Sequence, residues 1–263
     1  MAMITLTTST TNSRVGLCDT CGLCAQRRDI LPTAGDERAR VEARVRSVVT
    51  SVLRDVEMYG ISGLKAQAER ALIPIGVSAR HLHVCQEDLE KLFGPGYSLT
   101  HERDLLQPGE FASKEMVTLV GPDGKTMPRV RILGPLRART QVELARTDGI
   151  ALGLRELPMR RSGELQGTAP LTLVGPYGTL YLPEVAMRSN RHIHMGPADA
   201  ARFGVRQNDV VQLRIGGQEG VTFHNVQIRI HETWKLVAHL DTDDANAAGI
   251  VCEVHGELLK KLS

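Results

Sequence analysis

The tetrad Arg80-His81-Leu82-His83 returns 111 positions later as Arg191-His192-Ile193-His194. Each copy reads Arg, His, a branched aliphatic residue, His. Each then runs into a short helix-like stretch, Gln86-Glu87-Asp88-Leu89 in one and Pro197-Ala198-Asp199-Ala200 in the other. Histidines at i and i+2 point to one face of a strand, and imidazole is the commonest protein metal ligand. A single pair is equally well a polar strand face in contact with solvent. Two pairs in a duplicated setting predict a metal centre assembled between two related halves, and so an enzyme. Zinc suits such donors best, because it takes imidazole and carboxylate and keeps a position open in catalytic sites.

Working outward from the tetrads, the chain after residue 73 alternates β-branched and aliphatic runs with Gly, Pro and Asp turns. Strands are predicted at 73–77, 116–120, 130–133, 171–174, 210–215 and 226–230. The turn signals are Gly94-Pro95-Gly96, Gly121-Pro122-Asp123-Gly124, Gly175-Pro176-Tyr177-Gly178 and Gly216-Gly217. Short strands with regular turns predict small barrels or sandwiches. Few segments are long enough for crossover helices, which disfavours a parallel α/β sheet. Residues 117–124 are echoed by 171–178, so the duplication is expected to extend past the tetrads. The expected fold is mainly β, with two small β-barrel domains, 73–185 and 186–263, and short helices.

The segment before the barrels has a different texture. Within 36–72, Val41, Val45, Val48, Val49, Val52, Leu53, Val56 and Met58 follow the 3, 4, 7 spacing of an amphipathic helix, with Arg38, Arg40, Arg44, Arg46 and Arg54 on the other face. Gly60 and Gly63 are expected to end it, leaving 61–72 as a linker or a second short helix. Residues 1–35 read as a flexible tail carrying Cys18, Cys21 and Cys24 in C-x2-C-x2-C spacing. No fourth Cys follows at the ferredoxin distance; a partial zinc or cluster site and a redox-labile tail both stay open. Cys85 and Cys252 stand alone, and an odd total of five argues against a disulfide framework.

Of the 263 residues 42% are hydrophobic but only 3% aromatic, so the core must rest on aliphatic side chains. A net charge of +2 gives no electrostatic case for nucleic acid. No apolar run approaches the roughly 18 residues of a membrane span. Residues 1–12 lack the apolar stretch of a secretory signal, and the expected compartment is the cytoplasm.

The two His pairs can share one metal ion or seed two. Candidates for further ligands are Glu143, His224, His231, His239 and His255. His239, alone in an apolar strand, reads more readily as a core residue. Gln141 and Glu143 share one face of a strand. The turn Gly134-Pro135 sets Arg137, with Arg139 and Thr140, at a loop mouth, and the guanidinium fork matches phosphate or carboxylate. Arg80 and Arg191 face away from their neighbouring imidazoles and are candidates for a structural role. Ser78 and Asn190 also precede the tetrads, Ser78 one residue too far out to share the His81 face.

The stretches 75–83, 106–111, 133–137, 141–143 and 190–195, taken in order, resemble the PduL-type phosphate propanoyltransferases. The resemblance covers about residues 73–260. It implies two β-barrel domains, a dinuclear zinc site and exchange of coenzyme A for phosphate on a short acyl group such as propanoyl or acetyl. It implies that His81, His83 and Glu143 hold one zinc and His192, His194 and His239 the other. It further implies that Arg137 grips phosphate as the catalytic and substrate-binding arginine, with Ser78 as a second substrate contact. Residence in a bacterial microcompartment follows from the same resemblance, with the N-terminal helix as an encapsulation segment meeting shell or core proteins, and a homodimer or higher homo-oligomer. The Cys-containing tail departs from the family pattern.

No Ser-His-Asp or Cys-His set stands out, so direct attack of phosphate on the thioester is expected. Cys85, two residues beyond His83, is the one nucleophile that could change this. A zinc-dependent thioester or phosphoester hydrolase is the alternative.

Overall fold

The computed structural model describes residues 34–70, 72–251 and 253–259. The Cys18, Cys21, Cys24 reading lies outside them, as does Cys252. The chain falls into two units, divided between residues 66 and 67.

The first unit is a helix, α1 (Ala34–Arg70). Val41, Val45, Val48, Val49, Val52 and Leu53 lie along it, each about half exposed. Arg38 pairs with Glu42 one turn on, at 3.0 Å. The helix runs through Gly60 and Gly63, where an end was expected. A glycine inside a helix costs only about 1 kcal/mol relative to alanine, and the strong helix formers Leu64, Lys65, Ala66, Gln67, Ala68, Glu69 and Arg70 follow directly. Among the described residues, no helix is long and apolar enough to cross a membrane.

The second unit is mainly β and carries two closed six-strand barrels. Its elements in order are β1 (Leu72–Ser78), β2 (His81–His83), α2 (Gln86–Phe93), β3 (His101–Asp104), β4 (Phe111–Val120), β5 (Thr126–Gly134), β6 (Gln141–Glu143), α3 (Arg146–Ala151), β7 (Met159–Arg160), β8 (Ala169–Val174), β9 (Thr179–Ser189), β10 (His192–Met195), α4 (Pro197–Phe203), β11 (Val210–Ile215), β12 (Val221–Ile230), β13 (Val237–Asp241), α5 (Thr242–Ala247) and β14 (His255–Leu259). All six strand predictions fall on strands. Aliphatic side chains fill both interiors, Leu82, Leu119, Ile132, Val142 and Leu173 in one and Ile73, Ile193, Leu213, Ile228 and Leu240 in the other.

The first barrel closes in the order β4-β5-β2-β6-β9-β8 and back to β4, with β3 and β7 added at β4 and β9. The second closes as β11-β12-β10-β13-β1-β14. Strand for strand the two rings have the same pairing directions. The His strand is parallel to one neighbour (β2 with β5, β10 with β12) and antiparallel to the other (β2 with β6, β10 with β13).

The equivalence places β1 in the role of β9, with a consequence for the expected division at 185/186. β1 precedes the first tetrad yet lies in the second barrel, parallel to β13. β9 precedes the second tetrad and closes the first barrel, parallel to β6. Each half therefore lends its leading strand to the other, which binds the barrels into one unit and brings both tetrads to the exchange point.

The echo between 117–124 and 171–178 has a different origin from the tetrads. β4 and β8 are antiparallel neighbours in one barrel, with Leu119 opposite Leu173, and each feeds a hairpin. Under the duplication β4 corresponds to β11 and β8 to β14, so the likeness reflects two hairpins with the same turn chemistry. The turn after β8 packs onto the end of α2, where the Tyr177 N–H donates to the Leu92 carbonyl at 3.0 Å. A Cβ on Gly175 would sit 2.3 Å from that oxygen, so only glycine allows the approach.

Candidate metal centre

The tetrad strands present their two imidazoles side by side, and the antiparallel neighbour supplies a third donor directly opposite the first His. In register, Glu143 faces His81 and His239 faces His192. The structure thus gathers two groups, His81 with His83 and Glu143, and His192 with His194 and His239. Within each, the potential ligand atoms lie within 4.8 Å of one another. His224, His231 and His255 are exposed and belong to neither group. A cavity of about 30 Å³ is lined by Glu143 of the first group and by His192 and His239 of the second, together with Ser78, Ser189 and Asn190. Ser78 reaches it because β1 lies beside β13 in the second barrel.

The donors are prepared to bind a cation. The Nδ1 atoms of His81 and His192 each meet the backbone carbonyl two residues back, Ala79 and Asn190, at 2.8 Å. His83 Nδ1 meets the Leu133 carbonyl at 3.1 Å. A ring nitrogen that donates to a carbonyl fixes the tautomer and leaves the other nitrogen's lone pair free. His194 Nδ1 and His239 Nε2 are buried with no hydrogen-bond partner, a costly state that a metal ion would relieve. Burial, above all, holds His83, His192, His194 and His239 neutral. It pushes His83 down to about 2, with the charges of His81 and Arg137 adding to the effect. His194 falls to about 3 and His239 to about 4, and His192 lies well below the usual imidazole range. A neutral imidazole is the ligating form. Two nitrogen–nitrogen–carboxylate or all-nitrogen sets of three fit a first-row divalent ion with an open coordination position.

The arginines divide by role. Arg191 makes a two-pronged contact with Asp244, at 2.8 and 2.7 Å, and Arg80 reaches Asp148 at 2.8 Å. Each tetrad arginine thereby fastens the helix that follows the third-donor strand, α5 or α3. Arg137 sits after β5, its N–H donating to the Val84 carbonyl at 2.9 Å. Its Nη1 donates to Ser162 Oγ at 2.7 Å and its Nη2 lies 3.6 Å from Glu110. Its charge adds to the lowering of both His83 and His194. Arg139 is exposed.

Cys85 is the residue before α2, half-buried, with its sulfur 3.6 Å from Thr140 Oγ1. The Thr140 hydroxyl donates to Asp88 Oδ2 at the shorter 2.7 Å, and among the described residues the Cys85 sulfur is hydrogen-bonded to no His, Asp or Glu.

Several residues of the site gave no signal in the sequence. Arg229 lies opposite His194 on β12 and donates to Asn190 Oδ1 at 2.5 Å. Burial lowers its pKa to about 10. Trp234 stacks on His194 at 4.0 Å between centroids. Buried Gln107 pairs with both backbone polar groups of Lys235, each at 3.0 Å, and so ties the loop bearing Glu110 to the loop bearing Trp234. Gln107 lies in the stretch 106–111 that carries the family resemblance, and its partner is 128 residues away.

A mainly β chain whose two strand-exchanged barrels each gather a three-donor group of metal-binding type defines the class: a two-barrel protein with a duplicated His-rich donor site and an arginine beside it. Comparison with known proteins gives the family. The profile of the phosphate propanoyltransferases matches residues 74–251. A phosphate propanoyltransferase of Lachnoclostridium phytofermentans is 48% identical over 180 residues, covering 68% of this chain and 84% of its own. One from Rhodobacter capsulatus is 42% identical over 205 residues, 78% of this chain and 94% of its own. One from Salmonella typhimurium is 47% identical over 178 residues, 67% and 83%. The chain belongs to the phosphate propanoyltransferase family of acyltransferases.

Proposed function

We propose that this enzyme exchanges coenzyme A and phosphate on a short acyl group, propanoyl or acetyl, with two zinc ions per chain. The carrying observation is the pair of three-donor groups, one with the Glu143 carboxylate and one all imidazole, with Glu143, His192 and His239 lining one cavity and Arg137 acting electrostatically on both groups. His81, His83 and Glu143 would hold one ion, and His192, His194 and His239 the other. Bound zinc supplies Lewis acidity and affinity for sulfur, the two demands of a thioester losing its thiolate.

The chain's own residues do the rest. Arg137 binds phosphate through its planar fork and turns an oxygen toward the thioester carbonyl carbon. That oxygen forms the new C–O bond, the C–S bond breaks, and the electron pair leaves with the coenzyme A sulfur. Glu110, whose carboxyl is raised by burial against the pull of Arg137, limits the free swing of the guanidinium. Ser78 offers a hydroxyl at the joining cavity. The Cys85 sulfur meets the Thr140 hydroxyl and not a hydrogen-bonded base, which supports attack by phosphate itself over a covalent acyl-cysteine.

Metal analysis paired with a thioester assay tests the proposal. Two zinc ions per chain are expected, with coenzyme A release that depends on added phosphate and yields acyl phosphate. Equal release without phosphate would instead indicate hydrolysis by water. The same reading takes α1 as an encapsulation segment for a microcompartment lumen, supported by its row of exposed apolar residues. Removal of residues 1–66 should leave turnover intact and abolish co-purification with shell proteins; retained co-purification would refute that role.

A further inference from the structure

Gln141 is 1% exposed, and both ends of its side-chain amide are used. Its Nε2 donates to Glu143 Oε1 at 2.7 Å and to Ser162 Oγ at 2.6 Å, and its Oε1 accepts from the Gly163 N–H at 2.8 Å. The orientation follows from chemistry, since a carboxylate needs a donor and an N–H needs an acceptor. Ser162 Oγ also accepts from Arg137 Nη1, at 2.7 Å. An unbroken chain of hydrogen bonds therefore runs from Arg137 through Ser162 and Gln141 to Glu143.

We infer that Gln141 and Ser162 are positioning residues that set the phosphate-gripping Arg137 and the Glu143 carboxylate as one unit. The inference rests on the functional reading above for the roles of those two ends. With Oε1 held by the amide, Glu143 presents Oε2 to the donor group, on the side where His81 Nε2 lies 3.8 Å away. With Nη1 on Ser162 and Nη2 3.6 Å from Glu110, the plane of the guanidinium fork is fixed.

The sister barrel shows that the barrel itself does not need this amide. Gln141 faces His83 across the strand pair, and the residue facing His194 is Val237. A carboxylate has two equivalent oxygens, and a donor on one of them fixes which oxygen is left for the group. Ser162, likewise, comes from the loop between β7 and β8, outside the ring of strands.

The test uses the full chain with Gln141→Met, of similar volume but without the amide, and Ser162→Ala. Chelator-competition titration with zinc should show one of two sites weakened by about 10–100-fold in Gln141→Met, the usual effect of losing a partner of a metal ligand. Ser162→Ala should keep both sites and raise the phosphate KM roughly tenfold, the worth of one hydrogen bond, with a smaller change in kcat. Ser162→Thr should restore the KM. Melting points that fall while metal titration and phosphate KM match the parent would overturn the inference. If Gln141→Met does not fold, Ser162→Ala decides alone, because its side chain lies on a loop. The titration needs no turnover, so a parent that binds zinc but transfers no acyl group would sink the functional reading and leave the Gln141 result standing.

Discussion

The two barrels present their donor groups from the same strands in the same register, yet the groups differ at two positions. Opposite the first His stands Glu143 in one barrel and His239 in the other; opposite the second stand Gln141 and Val237. The first group is anionic and linked by hydrogen bonds to Arg137. The second is all imidazole, with two ring nitrogens lacking partners and Trp234 stacked on one face. Duplication supplied the scaffold, and one register position decides the charge of each donor group. A carboxylate lowers the net charge of its site and so its Lewis acidity, whereas three neutral ligands preserve it.

The largest effect should come from removing a ligand. His81→Ala and His192→Ala should each lose one zinc per chain and more than about 100-fold in activity, beyond what the loss of a ligand's partner costs. A variant that keeps two zinc ions would remove its His from the ligand set. Arg137→Ala should lose about 1.5–3 kcal/mol in kcat/KM for phosphate, the range for a charged hydrogen bond. Normal phosphate kinetics would dismiss Arg137 as the anion grip. Glu143→His would make the first group chemically like the second. We expect zinc to remain and turnover to fall on the order of tenfold or more; parental turnover would mean that the difference between the groups has no bearing on catalysis.

Acid should separate the barrels most gently. Metal-free protein holds His83, His192, His194 and His239 neutral through burial, while the unfolded chain protonates them near the ordinary value of 6.5. The unfolded state then binds more protons, so stability is complete above about pH 6.5 and falls as pH drops toward the folded values of about 2 to 4. Each such imidazole contributes about 1.4 kcal/mol per pH unit in that window. Three of the four lie in the second group, so hydrogen exchange at pH 5 should show β10 and β13 opening before β2 and β6. Equal protection would place the acid sensitivity elsewhere.

Much of this was legible along the chain. The i, i+2 histidines point to a strand face, the short strands with regular turns to small barrels or sandwiches, and the low aromatic content to an aliphatic core. Those signals are local, since two-residue alternation and turn chemistry act over a few positions. The third donors were ambiguous, because a His in an apolar strand or an acid in a short one has many innocent explanations; the family resemblance, not the spacing, singled out Glu143 and His239. Gly60 and Gly63 misled, because local propensity is weak against a run of strong helix formers. Ser162, Arg229, Trp234 and the Gln107 link to Lys235 had no signal at all, since each matters only through a partner far away in sequence.

By itself, then, the sequence determined the strand faces, the duplicated pair of imidazoles and the mainly β class. Only the tertiary structure decided that β1 and β9 exchange barrels, that Glu143 and His239 stand at equivalent register positions, and that a buried amide joins one group to Arg137. Side-chain alternation is written residue by residue, whereas register between strands is fixed by burying two apolar interiors at once, a condition no single stretch of chain can state.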